Sequence, residues 1–210
     1  MTIVLLSGKQ GAGKTATQNK LYLAAARAGF KTAYSMNFAD ALYGLHDRVL
    51  DGLREYGIDP KTKKDRTLLQ LLGTEWGRSV HGSEIWVNIL RNRIHQVEPN
   101  SLIIVGDCRF ENEFDAFPHA LRVRLAAAEN VRRNRAASWG SNTLHPSETG
   151  LDRYAEHGRF DLTIKTDGLV TVDGTVELIL AQIQKGSWVE KRSETKHKET
   201  GDRCSRESNP

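Results

Sequence analysis

The sequence has 210 residues, of which 39% are hydrophobic and 27% are charged, and its formal net charge is +4. This composition is typical of one soluble globular domain and excludes a chain that is disordered throughout. No run reaches the ~18 apolar residues of a membrane helix, and no basic segment precedes the apolar start. We therefore expect a cytoplasmic protein without membrane contact. Cys108 and Cys204 match no metal-site spacing and fit a reducing compartment.

Short apolar runs alternate with helical patterns along the chain. The predicted strands are residues 2–7, 31–36, 101–106, 120–125 and 161–165. The predicted helices are residues 14–28, 38–56, 65–73, 83–96, 112–117, 127–137 and 172–184. Strands that alternate with helices favour an α/β fold, so we predict a parallel five-stranded sheet flanked by helices.

The last 25 residues, 186–210, carry many charges and only three hydrophobic side chains. Such a segment cannot bury enough apolar surface to offset the entropy lost on ordering. We predict that it is a disordered tail and that the folded domain spans residues 1–185. The net charge of that domain is too mild to indicate a nucleic-acid partner.

A glycine-rich loop follows the first predicted strand and reads Gly-Lys-Gln-Gly-Ala-Gly-Lys-Thr over residues 8–15. It matches the phosphate-binding pattern G-x-x-x-x-G-K-[ST] in the required position between a strand and a helix. In this pattern backbone amides surround phosphate oxygens, the lysine reaches the β and γ phosphates, and the hydroxyl holds Mg²⁺. The residues predicted to bind ATP are Gly11, Ala12, Gly13, Lys14, Thr15 and Ala16. Kinases, GTPases and ATPases share this loop, so it does not name the reaction.

Two further segments carry polar residues at the predicted sheet edge or beside an apolar helix. Asp107 follows the third strand, where it can orient Mg²⁺ or cap a helix, and Arg109 can bind a phosphate or form a surface ion pair. In residues 68–78 the leucines indicate core packing. Gln70 and Arg78 are the candidates there for binding a base and a phosphate.

Together these segments resemble the phage-type deoxynucleoside monophosphate kinases. The strings that carry the resemblance are the glycine-rich loop and residues 37–42, 69–78, 86–87, 107–113 and 145–151. They occur in the family's order over most of residues 1–185. The resemblance implies a nucleoside monophosphate kinase fold, with acceptor-binding helices in residues 38–98 and a lid-like segment in residues 126–150. It also implies ATP as donor, Mg²⁺, a deoxynucleotide acceptor and a homodimer.

The resemblance also implies roles for single acceptor-side residues. Asp40 and Gln70 would hold the acceptor nucleoside, while Arg78 and Arg109 would bind its 5′-phosphate. Trp86 would flank the pocket, although a core position is the alternative. Near the acceptor, the polar contacts would come from His145, Ser147 and Glu148, for which a structural capping role is the alternative.

The lid-like segment carries a cluster of arginines. The helical repeat puts Arg132 and Arg135 on one face, with Arg133 about 100° away. Without the family context such a cluster indicates a solvated surface. The resemblance implies that Arg132 or Arg135 closes over the transferred phosphoryl group. Residues 166–168 read Thr-Asp-Gly where the family has Asn-Asp-Gly, which puts a donor-base contact there in doubt.

The sequence thus predicts phosphoryl transfer from Mg·ATP to a deoxynucleoside 5′-monophosphate. The acceptor phosphate is already anionic near neutral pH, so no dedicated general base is required. Lys14, Arg109, Arg132 and Arg135 are the predicted catalytic cations, and Thr15 and Asp107 the predicted Mg²⁺ ligands. The alternatives are a dephospho-coenzyme A or nucleoside kinase, a nucleic-acid-stimulated ATPase, and a nucleotide-binding regulator without turnover.

Overall fold

The computed structural model describes residues 1–135, 146–168 and 170–186. Within these ranges five parallel strands form one sheet in the order β2-β3-β1-β4-β5. The strands are β1 Thr2–Ser7, β2 Thr32–Met36, β3 Ser101–Val105, β4 Leu121–Ala126 and β5 Leu162–Lys165. The predicted parallel five-stranded sheet is confirmed, and each strand boundary lies within one residue of its predicted position. The predicted tail beyond Gly186 falls outside the described ranges.

Helices flank the sheet on both faces. They are α1 Lys14–Ala24, α2 Asp40–Glu55, α3 Arg66–Gln70, α4 Ser79–His81, α5 Ile85–His95, α6 Glu111–Asp115, α7 Glu129–Arg135, α8 Pro146–Thr149, α9 Asp152–Glu156 and α10 Val172–Lys185. A 3₁₀ turn, Ala25–Ala28, follows α1, and a π-helix, Leu71–Arg78, joins α3 to α4. None of the helices in the described ranges is long and apolar enough to cross a membrane.

The predicted helix over residues 65–73 ends too early. Asp65 caps α3 by accepting the amide hydrogens of Thr67 and Leu68, and the chain then continues as the π-helix to Arg78. Gly77 lies in this π-helix, where a Cβ atom would come within 2.6 Å of the Trp86 ring. Glycine therefore marks a close contact here rather than the end of a helix. The short helices α8 and α9 were not predicted, because their polar sequence carries no apolar period.

The two faces of the sheet carry separate hydrophobic cores. Val4 and Leu6 of β1 point to one face, which α1 and α10 cover with residues such as Leu21 and Ile179. The intervening Leu5 points to the other face, where α5 and α6 contribute Leu90 and Phe114. Burial on both faces explains why the central strands are apolar throughout.

The parallel strands all end at one edge of the sheet. The connection after β1 leads to β2 on one side, whereas the chain after β3 crosses β1 to reach β4 on the other side. A crevice opens where the direction of the connections changes, and ligands of α/β sheets bind there. The glycine-rich loop and residues 106–110 both lie at this point.

Candidate active site

The glycine-rich loop is shaped by glycines in the left-handed region. Gly11 has φ of +77°, and a Cβ atom there would overlap the carbonyl group of Arg132 in α7. Gly13, with φ of +96°, turns the loop into the first residue of α1. The amide groups at the start of that helix have no partner within the helix. They form, with the helix dipole, a site for phosphate.

Lys14 lies at the base of this loop. Its Nζ atom donates to the carbonyl oxygens of Gly8 and Lys9, the second at 3.0 Å. Burial, and after it the positive charge of Arg109, lower the pKa of Lys14 to about 8. An ammonium group held in so little water interacts strongly with any anion that reaches it.

Both predicted lid arginines donate hydrogen bonds to backbone carbonyl groups in or next to the glycine-rich loop. Arg132 is buried and donates from Nη1 to the Gln10 carbonyl oxygen at 3.1 Å. Arg135 donates from Nη2 to the Thr166 carbonyl oxygen at 2.5 Å. Arg133 instead pairs with Glu129 at 3.0 Å on the exposed side of α7. The helix therefore turns its first and last arginine toward the loop, in the register that the sequence predicts.

Thr166 is a contact that sequence reasoning missed. It follows β5, is buried, and its Oγ1 atom donates to the Ala12 carbonyl oxygen at 2.9 Å. Thr166 stands where the resemblance predicts an asparagine, and its hydrogen bond connects the end of β5 to the glycine-rich loop. Its position directly after a strand at the carboxyl edge was the available signal.

Asp107 occupies the opposite side of the crevice. Its Oδ1 atom accepts the Phe38 amide at 2.9 Å, and its Oδ2 atom accepts the Ala39 amide at 3.0 Å. Burial raises the pKa of Asp107, while these two hydrogen bonds act against the rise. The alternative that Asp107 caps a helix is wrong, because the N-cap residue of α6 is Phe110. Asp107 instead binds two backbone amides of the segment that precedes α2.

Glu113 is a second carboxylate on this side of the crevice, and sequence reasoning missed it. Its Oε2 atom accepts the amide hydrogens of Arg109 at 2.8 Å and Phe110 at 3.1 Å, which caps α6. Its Oε1 atom lies 3.7 Å from Nη2 of Arg78. Burial is the main cause that raises the pKa of Glu113 to about 7, and Asp107 adds to the rise. A glutamate three residues into a helix is a readable capping signal, whereas its partner Arg78 is distant in sequence.

Arg109 and Glu148 connect the two sides of the crevice. Nη1 of Arg109 donates to Oε1 of Glu148 at 3.2 Å. The other oxygen of Glu148 accepts the Gln10 amide of the glycine-rich loop at 2.7 Å. A single carboxylate therefore bridges the predicted donor site and the predicted acceptor site. The guanidinium of Arg78 lies 4.5 Å from the centre of the Phe110 ring.

The other predicted acceptor residues lie farther along the same side. Asp40 accepts two hydrogen bonds from Asn37 and pairs with Arg93 at 3.1 Å. Gln70 is exposed at the end of α3, whereas Trp86 is buried and donates to the Gly73 carbonyl oxygen at 3.0 Å. These contacts favour the core alternative for the tryptophan. His145 and the side chain of Ser147 lie outside the described part of the structure.

The residues predicted to bind Mg²⁺ fit a site in which nucleotide phosphates and waters supply most of the ligands. The described residues contain no group of three His, Cys, Asp or Glu side chains that could hold a metal ion. Mg²⁺ beside nucleotides takes one or two protein ligands, with phosphates and waters in the other positions. Thr15, exposed in the first turn of α1, fits such a role. Asp107 fits through a bound water, since each of its oxygens keeps a second lone pair.

Comparison with known proteins gives one curated relative. The chain is 32% identical over 127 residues to the deoxynucleoside-5′-monophosphate kinase of Escherichia phage T5, covering 57% of this chain and 44% of that kinase. The predicted resemblance to phage deoxynucleoside monophosphate kinases is confirmed. The chain spans less than half of that relative's length. No family model matches.

Solved structures share the fold. Protein TT1252 from Thermus thermophilus is 14% identical, with a TM-score of 0.53, over 86% of this chain and 97% of that one. A shikimate kinase from Acinetobacter baumannii in complex with shikimate is also 14% identical, with a TM-score of 0.49, over 88% and 94% of the two chains. At this level of identity the solved structures support the fold alone.

Proposed function

We propose that the protein transfers the γ-phosphoryl group of ATP to the 5′-phosphate of a deoxynucleoside monophosphate. One observation carries the proposal: Glu148 bridges the Gln10 amide of the glycine-rich loop and the Arg109 guanidinium. The proposed donor site, at the glycine-rich loop, and the proposed acceptor site, at Arg109, therefore contact the two oxygens of the same carboxylate. In-line transfer requires the donor and acceptor phosphates to lie next to each other. The phage relative, a deoxynucleoside-5′-monophosphate kinase, supports the choice of acceptor.

The reaction needs positioning and positive charge more than proton transfer. An oxygen of the acceptor phosphate forms a bond to the γ phosphorus, and the bond between that phosphorus and the β–γ bridging oxygen breaks. ADP leaves with this electron pair. Lys14, Arg109, Arg132 and Arg135 would stabilise the charge on the transferred group. Mg²⁺, held by Thr15 with water on Asp107, would supply further positive charge at the ATP phosphates.

The remaining proposed contacts concern recognition. Gly11, Ala12, Gly13 and Ala16 would contribute backbone amides to the ATP phosphates. Arg78 would bind the acceptor phosphate beside Arg109, and Asp40 and Gln70 would hold its nucleoside. A homodimer, a cytoplasmic location and the absence of a nucleic-acid partner stay predictions.

An acceptor panel tests the proposal. The full chain is incubated with Mg·ATP labelled at the γ position and with each deoxynucleoside and ribonucleoside monophosphate in turn. Deoxyadenosine, dephospho-coenzyme A and shikimate serve as acceptors of other classes, and single-stranded DNA tests stimulated ATP hydrolysis. We expect labelled nucleoside diphosphate with at least one deoxynucleotide. Label transferred only to a non-nucleotide, or hydrolysis that rises with DNA and no transfer, would refute the proposal.

A further inference from the structure

Two arginines of the acceptor side come from distant segments and meet at one carboxylate. Arg78 ends the π-helix, and Arg109 follows β3 thirty-one positions later in the chain. Glu113 accepts the backbone amide of Arg109 at 2.8 Å and faces the Arg78 guanidinium at 3.7 Å. Its side chain is only 5% exposed. The contacts of this one residue therefore link the Arg78 guanidinium to the backbone from which the Arg109 side chain starts.

Capping alone does not account for a charged side chain at this position. The two amide hydrogens of the α6 cap go to a single oxygen, Oε2, and a glutamine oxygen could also accept them, through weaker bonds. Burying a carboxylate beside Asp107 costs free energy that a neutral amide avoids. Both amides stabilise the charge at Oε2, and among the described residues Arg78 is the cationic side chain paired with the other oxygen, Oε1.

The geometry at Arg78 leaves it able to bind a further anion. The 3.7 Å between Nη2 of Arg78 and Oε1 of Glu113 is longer than a hydrogen bond. The carboxylate therefore attracts the guanidinium without occupying one of its N–H groups in a hydrogen bond. The centre of the Phe110 ring lies 4.5 Å from the guanidinium carbon of Arg78, and this cation–π contact helps to hold the guanidinium in place. Because a guanidinium carries five N–H donors in a rigid fork, donors remain for a phosphate.

We propose that Glu113 is the positioning residue that sets Arg78 and Arg109 into one clamp for the acceptor phosphate. This inference rests on the proposed function, in which these arginines bind the acceptor. Glu113 touches no substrate itself. Through Oε2 it fixes the backbone from which the Arg109 side chain starts, and through Oε1 it holds the Arg78 guanidinium over Phe110.

The test separates the charge of Glu113 from its capping role. The assays are run at a pH well above 7, because burial raises the pKa of Glu113 to about 7 and the wild-type side chain must be ionised. Under these conditions Glu113→Gln keeps an oxygen that can cap α6 and removes the charge that faces Arg78. We expect the KM for the acceptor to rise at least tenfold, the KM for ATP to change less than twofold, and the thermal midpoint not to fall. Glu111→Gln, on the exposed side of the same helix, is the matched control and should change none of the three.

A double-mutant cycle with Arg78 gives the decisive comparison. In the Arg78→Ala background, Glu113→Gln should raise the acceptor KM by less than twofold, because the guanidinium it positions is absent. An equal rise in both backgrounds would overturn the proposal. A rise in the KM for ATP as large as that for the acceptor would also overturn it, since Glu113 would then support the whole crevice.

A binding measurement keeps the inference apart from the proposed function. If the wild-type chain transfers phosphate to no deoxynucleotide, the proposed function fails, and inorganic phosphate becomes the probe. With ADP at saturation on the glycine-rich loop, phosphate should raise the thermal midpoint of the wild type. Glu113→Gln should weaken that apparent affinity at least fivefold. Equal phosphate affinities in the two proteins would show that Glu113 positions no clamp.

Discussion

The two sides of the crevice are held in place by opposite hydrogen-bonding chemistry. On the donor side, Lys14, Arg132, Arg135 and Thr166 all donate to backbone carbonyl oxygens. On the acceptor side, carboxylates such as Asp107 and Glu113 accept from backbone amides. The donor side thereby leaves the amides at the start of α1 to bind phosphate. The acceptor side uses its amides internally, so it must bind a phosphate with arginine side chains.

The largest expected effect comes from the donor-side lysine. Lys14→Met should lower kcat on the order of 10²–10³-fold, because it removes a cation from the transferred phosphoryl group. The same change should raise the free energy of unfolding at pH 7 by on the order of 1–3 kcal/mol, since the pKa of Lys14 falls from 10.5 to about 8 on folding. Rate assays and denaturant titrations measure the two effects.

The pH dependence of that stability gain has a definite sign. Between pH 8 and 10.5 the unfolded wild type binds more protons than the folded protein, so wild-type stability rises with pH there. The advantage of the methionine variant should disappear over the same range. Lys20→Met, which removes a surface lysine paired with Asp173, should change neither rate nor stability appreciably. A variant at Lys14 with wild-type kcat would remove this residue from the mechanism.

The second effect tests the backbone of the donor side. Gly11→Ala places a Cβ atom against the Arg132 carbonyl group and in a left-handed conformation, so the loop and α7 must move apart. We expect at least a tenfold loss of ATP affinity, measured by calorimetry. Gly29→Ala has a similar φ of +84° but open space around it. It should cost only the ~1–2 kcal/mol of backbone strain and leave ATP affinity unchanged. Equal ATP affinity in the two variants would contradict the proposed close contact.

The third effect should appear on the acceptor side alone. Arg109→Ala removes a charged donor to the acceptor phosphate, a contact of about 1.5–3 kcal/mol, and should raise the acceptor KM roughly 10- to 100-fold. The KM for ATP should change little, because the donor phosphates rely on the loop amides. Arg27→Ala, at a surface pair with Glu177, is the control. A selective loss of ATP affinity would reverse the assignment of Arg109.

The smallest effect concerns the support beneath the donor loop. Thr166→Val removes the hydrogen bond to the Ala12 carbonyl oxygen and should cost about 0.5–1.5 kcal/mol of stability. We expect a two- to fivefold rise in the KM for ATP and none for the acceptor. Thr163→Val, at an exposed position of β5, the strand that precedes Thr166, should change neither. If the KM for the acceptor rose instead, Thr166 would support the acceptor side of the crevice and not the donor side.

The sequence predicts the donor side better than the acceptor side for a physical reason. The glycine-rich loop is one continuous motif, and its shape depends on the allowed φ of glycines that stand next to each other in the chain. The strands are equally local, because burial on both faces leaves apolar runs. The register of Arg132, Arg133 and Arg135 in α7 follows directly from the 3.6-residue repeat.

The acceptor side depends on contacts between distant residues, which a single sequence does not show. Asp107 binds backbone amides that lie 68 and 69 positions earlier in the chain. Glu113 carries a local capping signal, but its pairing with Arg78 joins two separate helices. Thr166 reaches the glycine-rich loop only because β5 ends at the same sheet edge. The residues that sequence reasoning missed are those whose partners are set by topology.

The Glu148 bridge makes phosphate binding an exchange of anions. The Gln10 amide and the Arg109 guanidinium already serve a carboxylate, at 2.7 Å and 3.2 Å. A phosphoryl group that binds the Gln10 amide or the Arg109 guanidinium must displace the Glu148 carboxylate. The net gain in free energy is the difference between the phosphate contact and the carboxylate contact that it replaces. A doubly charged phosphate interacts more strongly with the Lys14 ammonium than a singly charged anion does. We therefore expect Glu148 to disfavour simple monovalent anions at this site more than phosphates.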